Sequence, residues 1–149
     1  MQDLDKTQIA WIVSHCHTSS DREGYVRELQ KHISVDIYGH CGNHECPDGD
    51  CLKYISENYK FYLSFENSLC KDYVTEKFFK AMSYDILPIV YGGAKYEEIA
   101  PPNSYINVLP NYENPEDLAN YLKYLINNET ALRYGPTIKN FVKLLCSKN

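Results

Sequence analysis

The sequence predicts an α/β fold, a Rossmann-like parallel sheet with helices on both faces. Three observations predict it. Short β-rich apolar runs alternate with segments of helical period. The runs are nearly continuous in apolar character, as in strands covered on both sides. Unusual residues cluster just after the runs, where a parallel sheet places its ligand. The chain has 149 residues, about one domain, and its 44% hydrophobic content is that of a globular protein.

The expected strands are residues 9–13, 35–38, 61–65, 86–91 and 105–109. Between them, helical patterns cover 22–32, 51–58 and 74–84, with a short piece at 96–99. A last helix over 117–126 is introduced by Asn114, Pro115 and Glu116, a favourable helix start. Alternation of this kind means βαβ units. Ligands then belong at the carboxyl ends of the strands, near residues 14–22, 39–42, 66–73 and 92–96. No Gly-x-Gly-x-x-Gly follows the first strand, so the dinucleotide fingerprint is absent.

Charge and hydropathy exclude several classes. The net charge is −5, and no basic stripe interleaves with aromatics, so no nucleic-acid partner is expected. A phosphate-bearing ligand must be met by a few local cations. No apolar run approaches the ~20 residues of a membrane span. Neither a basic segment nor an apolar one precedes residue 9, so no signal peptide is expected. The fourteen tyrosines suit half-buried walls and polar ligand sites, or plain core packing.

Six cysteines stand at positions 16, 41, 46, 51, 70 and 146. Three at five-residue spacing suggest an oxidising compartment and at least one disulfide-tied loop, with 15 possible pairings overall. His15, His17, His40, His44, Cys41, Cys46 and Cys51 offer zinc-ligand types, but residues 40–51 lack a standard finger spacing and read more simply as a disulfide-pinned loop. Asp48-Gly49-Asp50 resembles an acidic metal motif but reads more simply as a turn. Asn128-Glu129-Thr130 is a formal glycosylation sequon. Gly92-Gly93 permits a close backbone approach or a tight turn.

The strongest local feature is Glu66-Asn67, followed by Asp72-Tyr73-Val74-Thr75-Glu76-Lys77. Asp72 is expected as an N-cap. On a helix starting there, Tyr73, Glu76, Lys77, Lys80 and Tyr84 share one face, and Val74, Phe78, Ala81 and Met82 form the opposite core stripe. A lysine in the first turn opposes the helix dipole, so it is either one partner of a solvated Glu–Lys pair or placed to meet phosphate. Arg22 follows a hydroxyl-rich loop after the first strand. Its bidentate fork suits a diphosphate, though a surface arginine after a capping loop is the plainer reading.

Taken together these segments resemble the C-terminal half of the α-1,3-fucosyltransferases of glycosyltransferase family 10. The likeness runs from Ile9 to about Tyr134. It is carried by Trp11-Ile12-Val13-Ser14 with Arg22, by Val35-Asp36-Ile37-Tyr38-Gly39, and above all by Phe65-Glu66-Asn67-Ser68 with Tyr73-Val74-Thr75-Glu76-Lys77. Pro88-Ile89-Val90-Tyr91-Gly92-Gly93 and Ala100-Pro101-Pro102-Asn103-Ser104 complete it. The resemblance implies the donor half of a GT-B enzyme, with residues 1–134 as a GDP-fucose-binding domain and 135–149 as a divergent tail.

Carried over position by position, Ser14, Arg22, Asn67, Tyr73, Glu76 and Lys77 are the implied donor-site residues. Arg22 and Lys77 would hold the diphosphate, and Glu76 ribose or fucose hydroxyls. The implied reaction is inverting transfer of fucose from GDP-fucose to a hydroxyl of an N-acetylglucosamine-containing glycan, with no metal required. The catalytic base belongs to an N-terminal acceptor-binding half, so none is assigned here. The implied setting is the Golgi lumen, through a membrane anchor outside this chain. The alternatives are a non-catalytic GDP-sugar-binding fragment and a zinc-stabilised α/β interaction domain.

Overall fold

A computed structural model describes residues 7–128 of the chain. The expected tail at 135–149, Cys146, and the last two sequon residues lie outside the described residues. In chain order the elements are β1 (Ile9–Ile12), α1 (Arg22–Leu29), β2 (Val35–Tyr38), α2 (Cys51–Asn58), β3 (Phe61–Phe65), α3 (Glu76–Met82), β4 (Leu87–Tyr91), a 3-10 turn (Tyr96–Glu98), β5 (Ile106–Asn107) and α4 (Pro115–Ile126).

The five strands form one parallel sheet in the order β2-β1-β3-β4-β5. Strand periodicity sends alternate residues to opposite faces. Ile9, Trp11, Phe61, Leu63 and Phe65 pack on one face against Val26 and Leu29 of α1 and Leu118 and Leu122 of α4. Ala10 and Tyr62 pack on the other against Leu52 and Ile55 of α2 and Ala81 of α3. Both faces are therefore covered, and all five residues of β3 are buried. This is the doubly wound arrangement that the continuous apolar runs predict.

Local chemistry sets the helix starts. Asn114 caps α4, its side chain accepting from Glu116 N–H at 3.1 Å, with Pro115 at the first helical position. Asp50 caps α2 by accepting from Leu52 and Lys53 N–H, so Asp48-Gly49-Asp50 is a turn and a cap.

The start of α3 corrects the expectation. Asp72 is not its cap; it sits at φ 60°, in the left-handed region. Thr75 is the cap, and Tyr73 and Val74 precede the helix. The expected core stripe nonetheless holds, with Phe78 and Ala81 buried. The 3-10 turn takes the place of the helical piece at 96–99. Helix α1 stops at Leu29, short of 32. Strand β5 is also shorter than expected, because Leu109 N–H turns to the Asn107 side chain instead of the sheet.

Two disulfides form among the described residues. Cys16–Cys41 joins the loop after β1 to the loop after β2, and Cys46–Cys51 closes the loop before α2. Cys70 is a free, exposed thiol. All three candidate zinc-binding thiols, Cys41, Cys46 and Cys51, are thus consumed in disulfides, and a zinc-thiolate site needs them as thiolates. The zinc-stabilised alternative loses its sulfur ligands.

Candidate functional site

The chain leaves β1 for the sheet edge at β2, then returns past β1 to form β3. That reversal opens a crevice at the carboxyl ends of β1 and β3, where doubly wound sheets bind ligands. The loops expected to build the site all converge there. Ser20 N–H donates to the Asn67 carbonyl at 3.1 Å, and Ser20 Oγ to the Glu66 carbonyl at 2.9 Å. Asp72 N–H donates to the Gly93 carbonyl at 3.2 Å, and Cys41 N–H to the Val13 carbonyl at 3.2 Å. Gly93 must be glycine for this, since a Cβ there would stand 2.2 Å from the Cys70 carbonyl oxygen.

Arg22 opens α1 and is only 1% exposed. Its Nη1 donates to the Phe65 carbonyl at 2.7 Å and its Nη2 to the His15 carbonyl at 3.0 Å. The guanidinium lies 5.4 Å from the centre of the Trp11 ring. It therefore braces the β1–α1 loop to the end of β3 from within. Burial lowers the guanidinium below its ordinary value, opposed chiefly by Glu23 and Glu66, with Tyr62 and Tyr73 also in electrostatic reach. Arginine stays charged regardless. Its Nε and the Asn67 Oδ1 are buried without a hydrogen-bond partner.

Glu66, the first residue after β3, is fully buried. It accepts from Thr75 N–H at 3.2 Å and from Thr75 Oγ1 at 2.9 Å on each carboxylate oxygen. Beside this contact α3 turns Glu76, Lys77 and Lys80 into a cleft of about 390 Å³, whose opposite wall holds Ile12, Asp50 and Tyr62. Lys80 pairs with Asp50 at 3.4 Å, and the Tyr84 hydroxyl donates to the same carboxylate. Lys77 is half-buried and makes no ion pair among the described residues.

The six implied residues fall into three groups. Glu76 and Lys77 share the cleft. Arg22, Asn67 and Tyr73 gather at the crevice between β1 and β3, with Tyr73 37% exposed at its rim. Ser14 is exposed just beyond β1. The sequence pattern gives no individual role to Thr75 or Tyr62; Ser20 enters it only within the hydroxyl-rich loop before Arg22, and Glu66 only within its motif. A hydroxyl residue directly before Glu76 was the available signal for the cap. The carboxylate its hydroxyl bonds to, Glu66, is nine residues away.

Residues 3–135 match the family described as glycosyltransferase family 10 (fucosyltransferase) C-term. The chain is 46% identical over 125 residues to alpha-(1,3)-fucosyltransferase fut-1 of Caenorhabditis elegans, covering 82% of this chain and 29% of that protein. It is 48% identical over 119 residues to alpha-(1,3)-fucosyltransferase C of Drosophila melanogaster, covering 78% of this chain and 28% of that one. The fold is similar to a crystal structure of alpha1,3-fucosyltransferase with GDP-fucose, at TM-score 0.71 and 24% identity, over 91% of this chain and 40% of that one. The chain thus spans less than a third of the length of either relative.

Proposed function

This chain belongs to glycosyltransferase family 10, and we propose that it is the GDP-fucose-binding half of an α-1,3-fucosyltransferase. The observation that carries the reading is the pair of cations flanking the end of β3. Arg22 lies beneath the crevice and Lys77 in the adjoining cleft. Lys77 meets the diphosphate directly. Arg22 contributes charge and its unpartnered Nε–H from below. Asn67, Ser14 and Tyr73 line the approach, and Glu76 accepts from ribose or fucose hydroxyls.

The chemistry follows from where charge develops. In an inverting transfer the acceptor hydroxyl attacks the anomeric carbon as GDP departs. Negative charge then grows on the β-phosphate. A lysine presented beside it from the first turn of α3 stabilises that charge. Removal of one such group typically costs about 10²–10³ in kcat. The base that takes the acceptor proton would come from an acceptor-binding half, for which the greater length of the relatives leaves room. The acceptor is an N-acetylglucosamine-containing glycan, and the setting is the Golgi lumen. The two disulfides support an oxidising compartment.

Thermal unfolding with GDP tests the reading. GDP at 100 times its dissociation constant should stabilise the chain by about 2.7 kcal/mol. An unfolding midpoint that GDP does not move contradicts it. Fucose transfer should appear only when the chain is joined to an acceptor-binding half; transfer by this chain alone would contradict the placement of the base.

A further inference from the structure

Glu66 is a buried carboxylate with no ion pair among the described residues, and burying such a charge is costly unless it is well satisfied. Its side-chain hydrogen bonds come from Thr75, through the N–H at 3.2 Å and the hydroxyl at 2.9 Å, with the Arg22 guanidinium in electrostatic reach. A threonine caps a helix without a carboxylate behind it. The carboxylate therefore does something the cap alone does not require.

The hydroxyl has one proton, which it donates in a hydrogen bond to the Glu66 carboxylate. The Thr75 lone pairs are then left for Lys77 N–H, which donates to Oγ1 at 3.4 Å. Glu66 thus fixes the polarity of the cap and the rotation of the first turn of α3. That turn carries Glu76 and Lys77 into the cleft. Glu66 is itself held on the sheet, its N–H donating to the Tyr91 carbonyl at 2.9 Å. The space around it is reserved: a Cβ at Gly92 would lie 3.0 Å from Glu66 Cγ and 2.4 Å from the Tyr96 hydroxyl.

We propose that Glu66 is a positioning residue, which acts through Thr75 to set where the Lys77 ammonium stands for a nucleoside diphosphate. The inference rests on the donor-site reading above. It separates the fold of α3, which packing of Phe78 and Ala81 maintains, from the placement of its first turn, which the clamp determines.

The test is calorimetric titration of the whole chain with GDP and with guanosine, well below the unfolding temperature. Thr75→Val keeps the shape of the side chain and removes the hydroxyl. It should weaken GDP about tenfold while guanosine changes less than about twofold. Thr75→Ser restores the hydroxyl and should restore GDP binding. Glu66→Gln sets an amide donor against the Thr75 donors and should weaken GDP in the same selective way. A folded Thr75→Val with the unaltered ratio of GDP to guanosine affinity overturns the proposal, as does a Thr75→Ser that binds GDP no better than Thr75→Val. Absence of GDP binding by the unaltered chain is a separate result, and it overturns the donor-site reading itself.

Discussion

Arg22 and Lys77 flank the same strand end, and they are held in opposite ways. Arg22 is buried, and its two terminal nitrogens are committed to the backbone carbonyls of Phe65 and His15. Lys77 lines an open cleft, and its neighbour Lys80, not Lys77, pairs with Asp50. The difference follows from the side chains. A planar fork can join two carbonyls at once, whereas an ammonium on a flexible stem serves as a presented point charge. The β1–α1 side of the crevice is therefore a brace and the α3 side is a presenting surface. Disulfide Cys16–Cys41 lies on the braced side, tying the loop after β1 to the loop after β2.

Substitutions on the two sides should separate stability from binding. The largest loss of stability is expected from Arg22→Ala, about 4 kcal/mol, because two charge-assisted bonds vanish and buried carbonyls lose their donors. Denaturant titration checks it, and Arg22→Lys should fall between, since one ammonium cannot fork to both carbonyls. Replacing Cys16 and Cys41 together by serine should cost about 3 kcal/mol, from the freedom returned to a 25-residue loop in the unfolded chain. Gly93→Ala pushes a Cβ to 2.2 Å from the Cys70 carbonyl oxygen and should cost about 1–3 kcal/mol, with GDP binding weakened as the 66–73 loop shifts. Lys77→Ala should change the unfolding free energy by only about 0.5 kcal/mol, since the half-buried side chain makes no ion pair among the described residues.

Much of this architecture was legible in the sequence, because it rests on local periodicity. Strands β2 and β3 and helix α2 have the expected bounds, set by apolar runs between turn residues and by Asp50 as cap. The convergence of the loops followed from a parallel sheet alone. What the sequence did not disclose depends on partners distant along the chain. Asp72 has the local chemistry of a cap, yet Thr75 caps α3, with its hydroxyl bonded to the distant Glu66 carboxylate. Arg22 lies 43 residues from the carbonyl that receives its Nη1, and a backbone acceptor leaves no mark in a side-chain pattern. The cysteine spacing suggested a tied loop, and the fold then chose the pairs by bringing the ends of β1 and β2 together.

Lys77 is the side chain proposed to meet the diphosphate from the cleft. Calorimetric binding of GDP and of guanosine to the original chain and to Lys77→Ala tests it most directly. Lys77→Ala should lose about tenfold in GDP affinity, the scale of one charge-assisted contact, while guanosine binds as before. Equal losses for both ligands, or no loss of GDP affinity, would contradict it.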